Sequence, residues 1–183
     1  APIAEIFSHV SKERQTLLFS ATLPKNIQKI SAQYLQNPVR IEMGQVNSVG
    51  DNIVQSTQFV SKDGKFEMLV DALREHDQSA IVFMNSKFAT EKMAKRLKSA
   101  GITAEAIHGD LRQSKRERVI SNLRDNKFRV LVATDVAARG IDVPHIHQVI
   151  NFDLPRQTED YIHRIGRTGR NGAQGIALNL ATP

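Results

Sequence analysis

Hydrophobic and polar positions alternate with two different periods along this chain. Short runs rich in β-branched residues recur between segments in which apolar residues follow a helical spacing, a pattern typical of a parallel α/β sheet. Phe66, Leu69, Val70 and Leu73, for example, fall at i, i+3, i+4 and i+7 and predict an amphipathic helix. The predicted strands are 16–20, 39–42, 53–60, 80–84, 104–108, 129–133, 148–151 and 175–180.

Turn and capping residues predict where several helices begin and end. Gly101 is a natural residue to follow the end of a helix, because glycine tolerates a left-handed backbone. Ser114 and Glu117 have the spacing of a capping box, and Thr158 is predicted to cap a short helix. One further helix is predicted around Ile27, Ile30 and Tyr34.

A break in composition divides the chain. Residues 43–52, MGQVNSVGDN, hold two Gly, two Asn and an Asp without an apolar period, so they predict a linker. Residues 53–183 contain six of the predicted strands, which is enough for one compact domain. Residues 1–42 contain too little to enclose a core alone. We interpret them as the trailing end of another domain, and the chain as part of a longer protein.

Composition excludes several classes of protein. Hydrophobic residues make up 40% of the chain and charged residues 24%, values close to those of globular proteins, which excludes wholesale disorder. The longest apolar runs stop far short of the roughly 20 residues that cross a bilayer, and we expect neither a membrane span nor a signal peptide. The chain has no Cys, which excludes disulfides and thiolate metal sites and is compatible with a reducing cytosol.

The chain is basic, and its basic residues change in kind along the sequence. It carries 25 Lys and Arg against 19 Asp and Glu, a formal net charge of +6. Residues 101–183 contain ten Arg and only two Lys. Because the guanidinium group presents a rigid fork of donors that suits phosphate, this bias is a hint of phosphate recognition. Taken alone, it is better explained by Arg residues on solvated helix faces.

The residues that follow the predicted strands carry the candidate chemistry, because ligands of parallel α/β sheets lie beyond the carboxyl ends of the strands. Ser86 follows the strand at 80–84, and Gly109 follows the strand at 104–108. Thr134 follows the strand at 129–133. Structural roles remain open for these residues: Ser86 could be a helix N-cap and Gly109 a turn former.

The segment 163–170, HRIGRTGR, holds three Arg within seven residues. Its two Gly would each weaken a helix by about 1 kcal/mol relative to Ala, so the helix is predicted to end there and to project Arg167 and Arg170 from a turn. Clustered cations repel one another unless an anion joins them, and a phosphate is the obvious candidate. The alternative is pairing with carboxylates such as Asp135, an alternative that applies above all to Arg164.

Five motifs in order resemble one known family. They are SAT at 20–22, IVFMNSK at 81–87, HGDLRQSKR at 108–116, VATDVAARGID at 132–142 and YIHRIGRTGR at 161–170. Their order and spacing resemble the C-terminal half of the DEAD-box RNA helicases over essentially the whole chain. The resemblance implies an α/β fold, a RecA-like three-layer α/β/α sandwich with a mainly parallel sheet.

The resemblance also implies a set of nucleotide-binding residues. In this family two RecA-like domains close over ATP and RNA, and the last two Arg of the final motif reach the γ-phosphate. Arg167 and Arg170 are therefore the expected arginine fingers, and His163 is expected to couple that site to the first domain. Asp142 matches the carboxylate that meets the ATP ribose, and Gly140 allows the backbone to approach closely.

A second set of residues is implied to bind RNA. Ser86, Gly109, Gln113, Arg116 and Thr134 match family positions that hold phosphates and sugar hydroxyls. Contacts of this kind carry no base information, so binding is expected to depend on salt and not on sequence. For Gln113 and Arg116 a solvated helix start stays open as the alternative.

The first of the five motifs and two absent motifs complete the comparison with the family. Ser20 and Thr22 match the motif that links hydrolysis to strand separation. The sequence has no G-x-x-x-x-G-K-[ST] loop, because Gly64 and Lys65 are followed by Phe66, and it has no DEAD tetrad. We therefore expect Mg²⁺ and the ATP phosphates to be held by a first domain upstream, and this piece alone to be inactive.

These expectations describe the C-terminal part of a cytoplasmic, ATP-dependent RNA helicase that unwinds short duplexes. Its expected partners are ATP, RNA and the first RecA-like domain, with no membrane and no metal site of its own. A free-standing RNA-binding or docking module is the main alternative, although no strand shows the aromatic platform that such modules use. A nuclease or DNA helicase is a third possibility, but no carboxylate cluster suited to two metals is visible.

Overall fold

The computed structural model describes residues 2–20, 23–42, 52–138, 141 and 146–183. The chain divides into two compact units, Ala1–Ser48 and Val49–Pro183. Of the predicted linker at 43–52, all but Asn52 lies outside the described residues. The predicted bounds of the domains stay a prediction.

The first unit holds two helices, α1 at Pro2–His9 and α2 at Lys25–Tyr34. The ring of Phe7 stacks on that of Tyr34 with the centroids 4.2 Å apart, and the guanidinium of Arg14 lies over Phe7 at 4.6 Å. The sequence predicts α2 but not α1. A short cluster of stacked aromatic rings thus joins the two helices.

The strands predicted at 16–20 and 39–42 are wrong. Neither segment forms a strand in the structure. A strand exists only through hydrogen bonds to a neighbouring strand, and the described residues of the first unit contain no strand that could serve as partner. The residue composition of these two segments favours a strand, but without a partner strand they form none.

The second unit alternates strands and helices. Its strands are β1 at Ile53–Phe59, β2 at Ala80–Phe83, β3 at Ala104–Ile107, β4 at Val130–Ala133, β5 at Gln148–Asn151 and β6 at Gly175–Ala181. Its helices are α3 at Lys65–Glu75, α4 at Lys87–Ser99, α5 at Gln113–Arg124, α6 at Asp135–Ala138 and α7 at Thr158–Ile165, followed by a 3-10 turn at Arg170–Gly172. Within the described residues no helix is long and apolar enough to cross a membrane.

The six strands form one sheet in the order β1-β6-β5-β2-β4-β3, and every pair is parallel. Helices cover both faces. One core cluster packs α3 and α4 against one face, through Leu69, Leu73, Met93, Leu97, Val82, Val132 and Ile150. The other packs α5, α6 and α7 against the opposite face, through Val119, Leu123, Ala137, Ile165, Ile81, Phe83, Leu131 and Val149. The predicted three-layer α/β/α fold is confirmed, with a sheet that is entirely parallel.

Two predicted helix caps are wrong. Helix α5 begins at Gln113 with Arg112 in the N-cap position, so Ser114 lies inside the first turn. Helix α7 begins at Thr158 itself, and Gln157 occupies its N-cap position without a side-chain hydrogen bond. In both cases an extended residue in the loop before the helix, with ψ of 147° or 146°, sets the boundary. Gly101 is confirmed: it follows α4 with φ of +82°.

The central strands end at a common level. Phe83 of β2 lies opposite Ala133 of β4 and Asn151 of β5, and Ile107 of β3 lies opposite Ala133. The loops that leave these four strands therefore begin side by side along one edge of the sheet. We call it the carboxyl edge.

Candidate functional site

Three of the predicted RNA-binding residues lie at the carboxyl edge. Ser86, Gly109 and Thr134 are each within three residues of the ends of β2, β3 and β4, which are adjacent in the sheet. The hydroxyl of Ser86 caps α4 by accepting a hydrogen bond from the backbone nitrogen of Ala89 at 3.3 Å. Capping uses the hydroxyl oxygen as acceptor, so its O–H remains able to donate.

Gly109 lies in the exposed turn after β3, where the structure does not require a glycine. Its φ is outside the left-handed region, and a Cβ built there would meet Lys87 Cε at 3.8 Å, an ordinary contact. The Nζ of Lys87 forms an ion pair with Asp110 at 2.5 Å, which joins the first turn of α4 to this loop. A small residue at an open surface suits the close approach of another backbone.

Gln113 and Arg116 occupy the first turn of α5. The amide nitrogen of Gln113 donates to Glu117 at 2.9 Å, and both side chains are exposed. Arg116 is half-buried, and its Nη2 donates to the carbonyl of Ala137 on α6 at 3.4 Å. Within the described residues this is the one hydrogen bond of Arg116, so most of its donors are available to an external acceptor.

Arg164 is the most buried large polar side chain near this edge, with 1% of its surface exposed. Its Nε and Nη2 donate to the two carboxylate oxygens of Asp135 at 2.6 and 2.8 Å. Nη1 donates to Asn151 Oδ1 at 3.0 Å and to the carbonyl of Asp153 at 2.6 Å, and Nη2 also donates to Asn85 Oδ1 at 3.1 Å. The carboxylate pairing considered for Arg164 is confirmed.

The partners of Arg164 come from three different strand ends. Asn85 follows β2, Asp135 follows β4, and Asn151 and Asp153 belong to the end of β5. The guanidinium also lies over the Phe83 ring, 4.9 Å from its centroid. One side chain of α7 therefore holds together the loops that leave three adjacent strands. Sequence reasoning missed this role of the two Asn residues, although an Asn in or after an apolar strand was a signal for it.

A chain of hydrogen-bonded polar side chains, which we call the polar relay, continues from buried Asn151 and Asn179 to exposed residues of β1. Asn151 Nδ2 donates to Asn179 Oδ1 at 2.8 Å, and Asn179 Nδ2 lies 3.2 Å from Thr57 Oγ1 and 3.3 Å from the Tyr161 hydroxyl. The Tyr161 hydroxyl donates in turn to Gln55 Oε1 at 2.7 Å. The relay links β5, β6 and β1 to α7. It satisfies polar groups that would otherwise be buried without partners.

His163 and Arg167 lie together at the end of α7. The helix ends at Ile165 with Gly166 at its C-cap, as the two-glycine motif predicts. Arg167 is half-buried; its Nη1 donates to the carbonyl of Ile141 at 2.9 Å and its Nε to that of His163 at 3.3 Å. Both residues line one small pocket, together with Phe83, Asp135, Ala138, Asp160 and Arg164. The buried Nδ1 of His163 makes no hydrogen bond within the described residues.

Arg170 lies in a different place from Arg167. It begins the 3-10 turn, its Nε donates to the carbonyl of Gly166 at 3.0 Å, and it lines a second pocket. That pocket is also lined by Gln78, Ser79, Asn126, Ile146, His147, Ala173 and Gln174, several of which precede the strands. The structure therefore places both side chains on the turn after α7 but in separate pockets.

Thr168 and Gly169 hold the turn that carries these Arg residues against the rest of the domain. Thr168 is buried, and its hydroxyl lies 2.7 Å from the carbonyl of His147 and 2.9 Å from that of Ile146. Gly169 has φ of +66°, and a Cβ there would come within 2.6 Å of Ile53. The second glycine of the motif is therefore required by the backbone, whereas the anchoring role of Thr168 was missed.

Charges along the carboxyl edge are modified by close partners. The hydrogen bond from His108, at 2.9 Å, is the main cause that lowers the pKa of Glu91. The hydrogen bond from Lys87 lowers the pKa of Asp110 in the same way. Burial lowers the pKa of Lys65, which donates to the carbonyl of Phe152 at 2.8 Å. Neighbouring donors thus lower the pKa values of these two carboxylates.

Several predicted site residues are not described or belong elsewhere. Thr22, Gly140 and Asp142 lie outside the described residues. Ser20 is exposed and belongs to the first unit. Among the residues that the structure describes, no three His, Asp or Glu side chains come together as metal ligands.

A parallel sheet with helices on both faces, polar loops at one edge and an Arg-rich turn after the last helix defines a RecA-like α/β domain. Residues 64–172 match the family described as helicase conserved C-terminal domain, which is more than half of the chain. The chain belongs to this family.

The curated relatives point to one branch of the family. The chain is 44% identical over 182 residues to the ATP-dependent RNA helicase DeaD of Mycobacterium tuberculosis, covering 99% of the chain and 32% of the relative. It is 42% identical over 181 residues to the ATP-dependent RNA helicase DbpA of Bacillus subtilis, covering 98% of the chain and 38% of the relative. The chain thus spans about a third of the length of these relatives, and it resembles the DEAD-box RNA helicases.

Solved structures agree with this branch. Saccharomyces cerevisiae Dbp5 bound to RNA and ADP BeF3 superposes with a TM-score of 0.88 and 32% identity, over 99% of the chain and 48% of that structure. A DEAD box protein from the hyperthermophile Methanococcus jannaschii gives a TM-score of 0.70 and 39% identity, over 98% of the chain and 48% of that structure. The predicted RecA-like fold and the DEAD-box resemblance are confirmed.

Proposed function

We propose that this chain is the C-terminal RecA-like part of an ATP-dependent RNA helicase. In that role it supplies arginine fingers to ATP bound between two domains, and it binds RNA backbone so that short duplexes separate. The observation that carries the proposal is the placement of Ser86, Gly109 and Thr134 at the ends of three adjacent strands, in a chain whose relatives are named RNA helicases.

The carboxyl edge is the proposed RNA surface. The O–H of Ser86 and the guanidinium of Arg116 can donate to phosphate oxygens or sugar hydroxyls, and Gln113 adds an amide beside them. The open surface at Gly109 lets the RNA backbone approach. Because these are contacts to the backbone, affinity depends on salt and not on base sequence.

The turn after α7 is the proposed nucleotide surface, because it carries the two Arg residues that the family resemblance assigns to the γ-phosphate. Arg167 donates to the carbonyl of Ile141. In the sequence Ile141 lies between Gly140, expected to allow close approach of the backbone, and Asp142, expected to meet the ribose. The buried Nδ1 of His163 makes no hydrogen bond within the described residues, so it is available to a ligand. When bound, ATP would supply the phosphoanhydride bond that is hydrolysed. Arg167 and Arg170 would stabilise the negative charge that develops on the transferring phosphoryl group.

The rest of the proposed site belongs to a first RecA-like domain upstream. That domain would supply the phosphate-binding loop and the carboxylates for Mg²⁺, motifs that are not found in the 183-residue sequence. Ser20 and Thr22 would link hydrolysis to strand separation, and His163 would couple the two domains. The piece alone would then hydrolyse no ATP, and the whole enzyme would work in the cytoplasm.

Substitution of the arginine fingers tests the nucleotide half of the proposal. In the full-length protein, Arg167→Ala and Arg170→Ala are each expected to lower RNA-stimulated ATP hydrolysis by about 10³-fold, because each removes a cation from the developing charge. RNA affinity should stay within about twofold. Arg118→Ala, an exposed Arg on α5, is the matched control. An unchanged turnover number in either finger variant would contradict its assigned role.

The RNA half is tested by Arg116→Ala in the same protein. Loss of one phosphate contact should weaken binding of single-stranded RNA and reduce the slope of log affinity against log salt by about 0.7. Arg118→Ala again serves as control, since it removes a neighbouring charge from α5. A slope equal to that of the wild type would remove Arg116 from the RNA surface.

A further inference from the structure

Helix α4, which begins at the carboxyl edge, is strongly basic. Among its 13 residues only Glu91 is acidic. Its cations are Lys87, Lys92, Lys95, Arg96 and Lys98. Glu91 is already engaged by His108 at 2.9 Å, so the helix carries a net positive charge that its own carboxylate only partly offsets.

Four exposed residues of α4 form one stripe. Phe88, Lys92, Lys95 and Arg96 stand at i, i+4, i+7 and i+8, so they share the outward side of the helix. The opposite side is buried in the core through Met93, Ala94 and Leu97. We call the stripe the α4 basic face. At 1.5 Å per residue it runs about 12 Å away from the carboxyl edge.

The α4 basic face keeps an excess of positive charge, although Lys95 has an electrostatic interaction with Glu91. Lys87 and Lys98 form ion pairs with Asp110 at 2.5 Å and with Glu105 at 2.8 Å. Within the described residues no carboxylate lies at ion-pair distance from the three cations of the stripe. The guanidinium of Arg96 is held over the Phe66 ring, 3.7 Å from its centroid. Arg96 is therefore held in place by a cation–π contact, without a carboxylate partner among the described residues.

Phe88 begins the stripe and is 79% exposed. It is the second residue of α4, directly after Lys87 and two positions after Ser86, so it adjoins the proposed RNA surface. An exposed phenyl ring among cations is unfavourable in water, but it offers the flat apolar surface on which nucleobases stack. An aromatic ring followed by unpaired cations is a typical arrangement for a single nucleic acid strand.

We propose that the α4 basic face binds the RNA segment adjacent to the one held at the carboxyl edge. Lys92, Lys95 and Arg96 contact its phosphates, and Phe88 stacks on one of its bases. The proposal rests on the proposed function, because RNA is the ligand in both, and it extends the RNA path beyond the residues of the carboxyl edge. Continuity with Ser86 and the unpaired positive charge select RNA over a neutral partner.

RNAs of two lengths separate the two surfaces. A short single-stranded RNA covers only the carboxyl edge, and a longer one extends over α4; both are titrated against the full-length protein at several salt concentrations. The double variant Lys92→Gln/Lys95→Gln should reduce the salt slope for the longer RNA by about 1.4, or 0.7 per lost phosphate contact, and leave the short RNA unaffected. The control Arg118→Gln/Lys127→Gln removes the same charge from α5 and the turn after it.

The aromatic contact has its own pair of variants. Phe88→Ala should weaken binding of the longer RNA by about tenfold, whereas Phe88→Tyr, which keeps a ring that can stack, should stay within about twofold of the wild type. Equal losses in Phe88→Ala and Phe88→Tyr would contradict stacking. Both substitutions are at an exposed position, so folding should not be affected.

The outcomes distinguish this inference from the proposed function. If the full-length wild-type protein binds neither RNA, the proposed function itself fails. If Arg116→Ala weakens binding of both RNAs but Lys92→Gln/Lys95→Gln changes neither affinity nor slope, only the α4 basic face is overturned as an RNA surface. That second result is the one expected if the face binds an acidic protein instead.

Discussion

Arg164 illustrates how a charge can be buried in this domain. Removing a guanidinium from water costs several kcal/mol, and that cost is offset only when its donors are satisfied. Here the fork meets a carboxylate in a bidentate way and three further oxygens complete the set. The planar group also lies against the Phe83 ring. No other side chain has this combination of shape and charge.

Arg164→Lys is therefore expected to destabilise the domain. A lysine keeps the charge but cannot bond both oxygens of Asp135 together with the other acceptors, and we expect a loss of about 3–5 kcal/mol, as for a broken buried pair. The urea midpoint of unfolding measures the loss. Arg118→Lys should change stability by less than about 0.5 kcal/mol.

A milder variant covers the case in which Arg164→Lys does not fold. Asn85→Ala removes one acceptor of Arg164 and the 3.3 Å hydrogen bond from Asn85 Nδ2 to the carbonyl of Leu154, and it should cost about 1 kcal/mol. If Arg164→Lys unfolded at the same urea concentration as the wild type, the buried network would not contribute as described.

The three Arg residues of HRIGRTGR show what sequence could and could not predict at this scale. Their type and spacing are equal, yet Arg164 is buried and Arg167 and Arg170 are half-buried. The deciding signal is helical phase: Arg164 lies three residues after Tyr161 and next to buried Ile165, on the inward side of α7. The acceptors around Arg164 come from loops that follow three different strands, so no local sequence pattern could predict them.

Helix α3 ends without a glycine, and the side chain of a distant Arg donates hydrogen bonds to the carbonyls at its end. The last carbonyls of a helix have no partners within the helix. Arg129, which precedes β4, donates from Nη1 to the carbonyl of His76 at 2.7 Å and to that of Gln78 at 3.3 Å, and from Nη2 to the carbonyl of Leu73. A residue more than fifty positions away thus takes the part that a local C-cap usually has.

Arg129→Ala should loosen the end of α3. Three carbonyls lose a charged donor, and we expect a loss of about 1–3 kcal/mol in the free energy of unfolding. Hydrogen exchange should accelerate first in the last turn of α3, because that turn loses its cap. Lys127→Gln, in the same loop but exposed, is the control. Equal exchange in the last turn of α3 and elsewhere would contradict a capping role.

Whole elements were predicted unevenly from the sequence, and the reason is physical. All six strands of the second unit were predicted to within about two residues, since the central ones are buried apolar runs bounded by turns, whereas β1 is an exposed, largely polar strand at the border of the sheet. Both predicted N-caps lie one or two residues too late in the sequence, because the extended residues Arg112 and Gln157 already mark the starts of α5 and α7. The strands at 16–20 and 39–42 failed because composition cannot show whether a partner strand exists.

At the scale of the molecule, acid should weaken the fold before its carboxylates titrate. Burial is the main cause that lowers the pKa of His147, and the nearby His76, with ring centroids 5.6 Å apart, lowers it further. The unfolded chain then binds more protons than the folded one below the usual His value of about 6.5, so stability falls as pH falls from there towards the lower folded pKa. Glu91 and Asp110, whose pKa values are lowered, act only below about pH 4.5.

His147→Gln tests this expectation. Between about pH 7 and about pH 5.5 the wild type should lose stability, measured as the urea midpoint, and the variant should lose less, since one titrating group is gone. His9→Gln, in the first unit, is the control for a change in His number. An identical pH dependence in wild type and His147→Gln would exclude His147 as a cause.

Strand β1, at one border of the sheet, pairs with a strand that follows it by more than 110 residues in the sequence. β1 opens the second unit, but its hydrogen bonds go to β6, and side chains such as Thr57 and Asn179 meet across 122 positions of sequence. During synthesis on a ribosome the other strands can assemble while β1 waits, since its place in the sheet is created only when β6 has left the exit tunnel and joined β5. A stop codon placed before Gly175 would therefore remove β6 and leave β1 without the strand it pairs with.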